Sequence, residues 1–126
     1  MIHEIDDFDT DVIQQSYDIP VLVDFWAEWC GPCKVLGPVL EKLATGQEDL
    51  WVLAKVNIEK YPVIASKYMI QNIPNVKLFV DGEIIDGFVG VMSELKVNEW
   101  LSEVLPSRHQ GNIDYSKQLL VDNKTS

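Results

Sequence analysis

The densest apolar run, Val21-Leu22-Val23-Asp24-Phe25-Trp26, follows Pro20 and is long enough for a buried strand and too short for a helix. Residues 51–56, Trp-Val-Leu-Ala-Lys-Val, have the same character. Between the two runs Leu36, Val39, Leu40 and Leu43 recur at helical spacing, which predicts a helix from residue 34 to about residue 48. Strand, helix, strand is a βαβ unit, so the strands should be parallel and the crossover right-handed.

Residues 2–5 read as a first strand, and Phe8, Val12 and Ile13 mark one face of a helix ending before Asp18. Pro62 suits the first turn of a helix that buries Tyr61, Ile64, Ala65 and Tyr68. Asn75–Val80 and Glu83–Val89 flank Asp81-Gly82, a strong signal for a tight antiparallel hairpin. Ser93 is a plausible N-cap for a last helix carrying Val97, Trp100, Leu101, Val104 and Leu105, which Pro106 ends. The fold class is α/β: βαβαβ followed by ββα, a central mixed sheet with helices on both faces.

Length allows one domain, over residues 1–105. From 106 to 126 the chain turns polar, and this extension reads as disordered or as a short helix with Ile113, Tyr115, Leu119, Leu120 and Val121 on an apolar face. The chain is 47% hydrophobic and 24% charged, the usage of a folded globular domain. Its net charge of −10 disfavours nucleic acid and anionic membrane surfaces as partners. The start of the chain lacks the cationic and apolar stretches of a secretory leader, and no run is long enough to span a bilayer, so the expected location is cytoplasmic.

The only two cysteines, Cys30 and Cys33, lie where the first strand of the βαβ unit hands over to its helix. A bridge closing so short a loop stabilises little, so chemistry explains the pair better than stapling does. Unpaired backbone N–H groups and the helix dipole favour a thiolate at a helix start, which assigns that role to Cys30. Cys33, one turn on, can close a disulfide with it. Gly31 permits the tight turn, and Pro32 presets φ where its missing N–H costs nothing. Half of a zinc site is the competing reading, but the other candidate ligands, His3 and His109, stand at opposite ends of the chain.

Trp29-Cys30-Gly31-Pro32-Cys33-Lys34 resembles the active-site motif of the thioredoxin family, and the resemblance extends over roughly residues 2–105. It implies a thiol-disulfide oxidoreductase that reduces protein disulfides with no cofactor beyond the Cys30–Cys33 disulfide. The implied partners are disulfide-containing client proteins and a thioredoxin reductase as electron donor, with the chain acting as a monomer. Gly31-Pro32 is similar to the reducing members of the superfamily.

The resemblance also makes Asp24 the family's buried aspartate, relaying a proton for Cys33, and Lys55 the lysine beside it. The alternatives are a solvent-facing Asp24 on an edge strand and a solvated Lys55 at a strand end. Ile73-Pro74 resembles the family's cis-proline segment, which offers backbone hydrogen bonds to an extended substrate; a trans proline opening a strand is the ordinary alternative. Gly90 matches a family glycine where a side chain would block an approaching peptide, and Trp29 belongs on the exposed rim. Trp26 supports the loop or simply fills the core. Two positions depart from the family: Asn75 follows the proline where threonine is common, bearing on substrate preference, and Asn57 replaces an aspartate. The competing function is a thioredoxin-like chaperone or binding module that works through residues 106–126.

Overall fold

The computed structural model describes residues 2–106, so the extension beyond Pro106, with His109 and its apolar positions, lies outside the described residues. The strands are β1 (Ile2–Glu4), β2 (Val21–Trp26), β3 (Val52–Asn57), β4 (Asn75–Val80) and β5 (Glu83–Val89), and the helices α1 (Gly31–Gly46), α2 (Pro62–Lys67) and α3 (Glu94–Val104). They form one five-stranded sheet in the order β1-β3-β2-β4-β5. β1 and β2 run parallel to β3, while β4 is antiparallel to both β2 and β5. The expected mixed α/β sheet is present, with α2 between β3 and the hairpin.

Because side chains alternate along a strand, β2 serves two cores. Leu22 points with Leu53, Val76 and Leu78 toward Leu36, Leu40 and Leu43 of α1 and Val97 and Leu101 of α3. Val21, Val23 and Phe25 face the other way, toward Phe8, Val12, Ala54, Val56 and Phe79, with Ile64 and Tyr68 packed alongside. Each fully buried Leu or Phe contributes about 1.5–3 kcal/mol through removal from water. That packing also carries α1 through Pro38, whose missing N–H deprives the Lys34 carbonyl of its helical donor. The helix begins at Gly31, before the apolar repeat, and ends at Gly46 rather than 48.

The segment before β2 is helical and ends before Asp18, as expected, with Phe8, Val12 and Ile13 in one core, but its helix is irregular. Instead of a regular helix it is a wide π-type turn over Asp9–Gln14 that tightens into a 3-10 turn over Gln15–Tyr17. Its buried residues are Val12 and Ser16. Ser16 ties the segment's end to the hairpin: its carbonyl accepts from Asp81 N at 2.9 Å and its hydroxyl accepts from Gly82 N at 2.8 Å. Asp81 and Gly82 have φ of 53° and 82°, the positive pair that a two-residue type I′ turn requires. Ser93 caps α3 as expected, its hydroxyl accepting from Lys96 N at 3.2 Å.

Candidate active site

The carboxyl end of β2 lies mid-sheet, between β3 and β4, and the chain leaving it turns straight into α1. Cys30 is the N-cap of α1, with extended backbone (φ −88°, ψ 106°), and its sulfur accepts the Cys33 N–H at 3.1 Å. Pro32 occupies the first turn, where its missing donor leaves nothing unmade. The two sulfurs are joined as a disulfide, with Cα atoms 5.3 Å apart. Each cysteine is 4% exposed, so exposure does not distinguish them; the cap position and the Cys33 N–H do.

Asp24 lies on the same face of β2 as Leu22, and its register partners are Lys55 on β3 and Val76 on β4. It is central, not edge: its side chain is buried, and its Oδ1 has no hydrogen-bond donor among the described residues. Burial raises its pKa from 3.8 to about 7; Lys55 opposes the rise, and Glu41 and Glu4 add to it. Lys55 is largely buried rather than solvated; it donates to Glu41 Oε2 at 2.7 Å, and its Nζ lies 5.3 Å from the centre of the Trp26 ring. Trp26, half-buried, packs with Ile58 and Ile73 around Ala27, Cys30 and Cys33. Trp26 therefore packs against the cluster that holds the dithiol, and its ring also meets the ammonium.

The Ile73–Pro74 peptide is cis, and Pro74 is buried. Pro74's carbonyl accepts from Gly90 N at 2.8 Å, which ties the loop after β5 to the proline. Gly90 has a φ of +94°, a conformation that disfavours any other residue, and a Cβ there would point into open space. Gly31 and Pro32 are exposed at the start of α1. Trp29 is 65% exposed and donates its indole N–H to Glu59 Oε2 at 2.8 Å. Asn75 is 6% exposed, and its Oδ1 has no donor among the described residues. Asn57 accepts from Glu59 N at 2.9 Å and Lys60 N at 3.4 Å and so folds the loop that presents Glu59.

Sequence reasoning missed Glu41 and Glu59. Glu59 gives no local sign of its partner, whereas Glu41 sits one residue after the apolar position Leu40 and carries no pattern of its own. Among the described residues no group of three or more His, Cys, Asp or Glu is placed to hold a metal ion.

A disulfide at a helix N-cap, following a strand that buries a carboxyl and packed against Ile73 of a cis-proline peptide, defines a thiol-disulfide exchange centre. The thioredoxin family model matches residues 1–103. A probable thioredoxin-2 of Caenorhabditis elegans is 42% identical over 104 residues, covering 82% of this chain and 70% of that protein. The thioredoxin of Rhodospirillum rubrum is 43% identical over 94 residues, 75% of this chain and 88% of its own. That of Acidithiobacillus ferridurans is 43% identical over 100 residues, 79% and 91% respectively. The chain belongs to the thioredoxin family. It is a thiol-disulfide oxidoreductase that reduces protein disulfides, with Cys30–Cys33 as its redox group.

Proposed function

We propose that Cys30 is the attacking thiol, Cys33 the resolving thiol and Asp24 the proton acceptor. The observation that carries this assignment is the Cys33 N–H donating to Cys30 Sγ at the helix cap, which favours negative charge on that sulfur alone. The Cys30 thiolate attacks one sulfur of a client disulfide; a Cys30–client bond forms, the client's S–S bond breaks, and one client thiolate leaves. Cys33 gives up its proton, by way of a water, to Asp24. Its thiolate then attacks Cys30 Sγ, closing the intramolecular disulfide and releasing the second client thiolate. Two electrons have passed to the client.

Burial of Asp24 supports its part, because a carboxyl with pKa about 7 exchanges protons at working pH. Lys55 keeps that value from rising further. Trp29, Gly31, Pro32, Ile73, Pro74 and Gly90 form the client-binding rim; the exposure of Trp29 and the packing of Ile73 against the cysteines support this. A thioredoxin reductase returns two electrons to the disulfide, and the protein works as a monomer in a reducing compartment, the cytoplasm. The catalytic unit is residues 1–105, and no cofactor other than the disulfide takes part.

Reduction of insulin disulfides by a dithiol, or by a thioredoxin reductase, tests the proposal. Wild-type protein accelerates it and Cys30→Ser abolishes it, while turnover surviving in Cys30→Ser would reject the assignment.

A further inference from the structure

The groups around Asp24 form a charged row across the sheet. Glu4 on β1, Lys55 on β3 and Asp24 on β2 are register partners on one face, and Glu41 descends on the row from α1. On its other side Asp24 has the uncharged Val76 of β4 as register partner, and the charged groups that act on it are Lys55, Glu41 and Glu4. One ammonium thus lies in a row with three carboxyl groups.

The geometry settles which of them it serves. Lys55 Nζ lies 2.7 Å from Glu41 Oε2, and no ion pair joins it to Asp24. The helix comes close at this point: a Cβ on Gly37 would lie 3.9 Å from Lys55 Nζ. Glu41 sits one helical turn past Gly37, on the side of α1 that faces the ammonium. The ammonium is therefore held by the helix that carries the dithiol.

We propose that Glu41 is a positioning residue for disulfide exchange: by holding Lys55 Nζ it keeps the ammonium from pairing with Asp24, and so sets the pH at which Asp24 takes the Cys33 proton. This rests on the reading of Asp24 as proton acceptor. Without Glu41 two things change in the same direction. A negative charge near Asp24 disappears, and Lys55 becomes free to turn toward it; both favour the ionised carboxylate. Asp24 becomes a weaker base that loses its proton earlier.

The test measures resolution of a Cys30–client mixed disulfide from about pH 5 to about pH 9 in wild type, Glu41→Gln, Glu41→Asp and Asp24→Asn. Titration of the Asp24 carboxyl by carbon-detected NMR accompanies it, as a readout independent of turnover. In Glu41→Gln the Asp24 midpoint should fall by roughly half a pH unit or more, and the acid limb of resolution should move with it. Near pH 6 that shift makes resolution about two- to threefold faster, because more Asp24 is ionised. Glu41→Asp, which keeps the charge, should restore most of the wild-type profile. With Lys55→Gln already in place, the effect of Glu41→Gln should shrink.

An unmoved Asp24 midpoint and an unmoved profile in Glu41→Gln would overturn the proposal. If Asp24→Asn itself leaves the profile unchanged, the proton-acceptor reading fails. If Asp24→Asn alters the profile and Glu41→Gln does not, only the role of Glu41 fails. Glu41 is part-exposed on its helix, so the glutamine variant retains the packing of α1.

Discussion

Trp29 Nε1 donates to Glu59 Oε2 at 2.8 Å, binding the exposed tryptophan before Cys30 to the loop after β3. An indole with so little cover needs such a tether to hold one orientation, and Asn57 holds the loop that supplies it. Removing the acceptor in Glu59→Ala should free the ring. At a solvated site the bond is worth about 1 kcal/mol or less, so kcat/KM toward a protein disulfide should fall about two- to fivefold, mostly through KM. Stopped-flow kinetics would show this, and lower anisotropy of Trp29 fluorescence would confirm the cause. Unchanged anisotropy would deny the tether a role.

The two cysteines should differ in reactivity in spite of equal burial. After reduction, Cys30 keeps the Cys33 N–H and the helix N-terminus, so its thiolate forms at lower pH. Iodoacetamide near neutral pH should label Cys30 well ahead of Cys33, as read by peptide mass mapping. Cys33→Ser should accumulate mixed disulfides with clients, while Cys30→Ser should trap none. Trapping by Cys30→Ser alone would reverse the roles.

The parts of the site that lie close together in the chain were legible in the sequence. Cys30 through Cys33 carry their own cap, turn and helix start, and the apolar run around Asp24 marks a central strand. Asp81-Gly82 states its turn type in two residues, and that turn is present. The parts that escaped depend on contacts between distant segments. Ser16 looks like any polar residue near a helix end, and only the docked hairpin explains why it is 3% exposed. The apolar spacing of Phe8, Val12 and Ile13 indicated a helix, which is present, but not its π and 3-10 geometry. Lys55 on β3 was expected beside Asp24; that it would turn to Glu41 depended on how α1 crosses the sheet. The positive φ of Gly90 was likewise out of reach, since sequence shows a missing side chain and not a dihedral angle.

Ser16 offers a test of the fold apart from the chemistry. Its hydroxyl donates to Ile13 O at 2.6 Å while accepting from Gly82 N at 2.8 Å. Ser16→Ala leaves both backbone groups short of a partner in a part-buried place, a loss of about 1–3 kcal/mol. Thermal unfolding should come about 4–8 °C earlier for each kcal/mol lost, with insulin reduction at ambient temperature unchanged. Gly82→Ala should also destabilise, because φ is +82° and the new Cβ would lie 2.5 Å from the Tyr17 hydroxyl oxygen. Full stability in both variants would mean that the turn is not anchored there.

Asp24 sets stability against activity, and the sign follows from its burial. Its folded pKa of about 7 stands above the value of 3.8 for the free side chain, so the native state binds the proton more tightly than the unfolded chain does. Below the unfolded value both states are protonated, and Asp24 carries no penalty relative to a neutral isostere. As pH climbs between the two values the unfolded chain ionises first, and stability drains away until the folded carboxyl also ionises near pH 7. Above that the loss levels off at about 4 kcal/mol, taking about 1.4 kcal/mol for each unit between the two pKa values. Asp24→Asn removes the ionisation altogether. Its denaturant midpoint should therefore match wild type near pH 4, draw ahead through neutrality and stay ahead by a few kcal/mol at pH 8. The same substitution should slow the resolution of mixed disulfides near neutral pH, because Cys33 loses its proton acceptor. Urea unfolding of both proteins at each pH measures the first effect and single-turnover release of a thiol client the second. A stability difference that stays flat with pH would show that Asp24 ionises alike in the folded and unfolded states, and its place in the proton path would go with it.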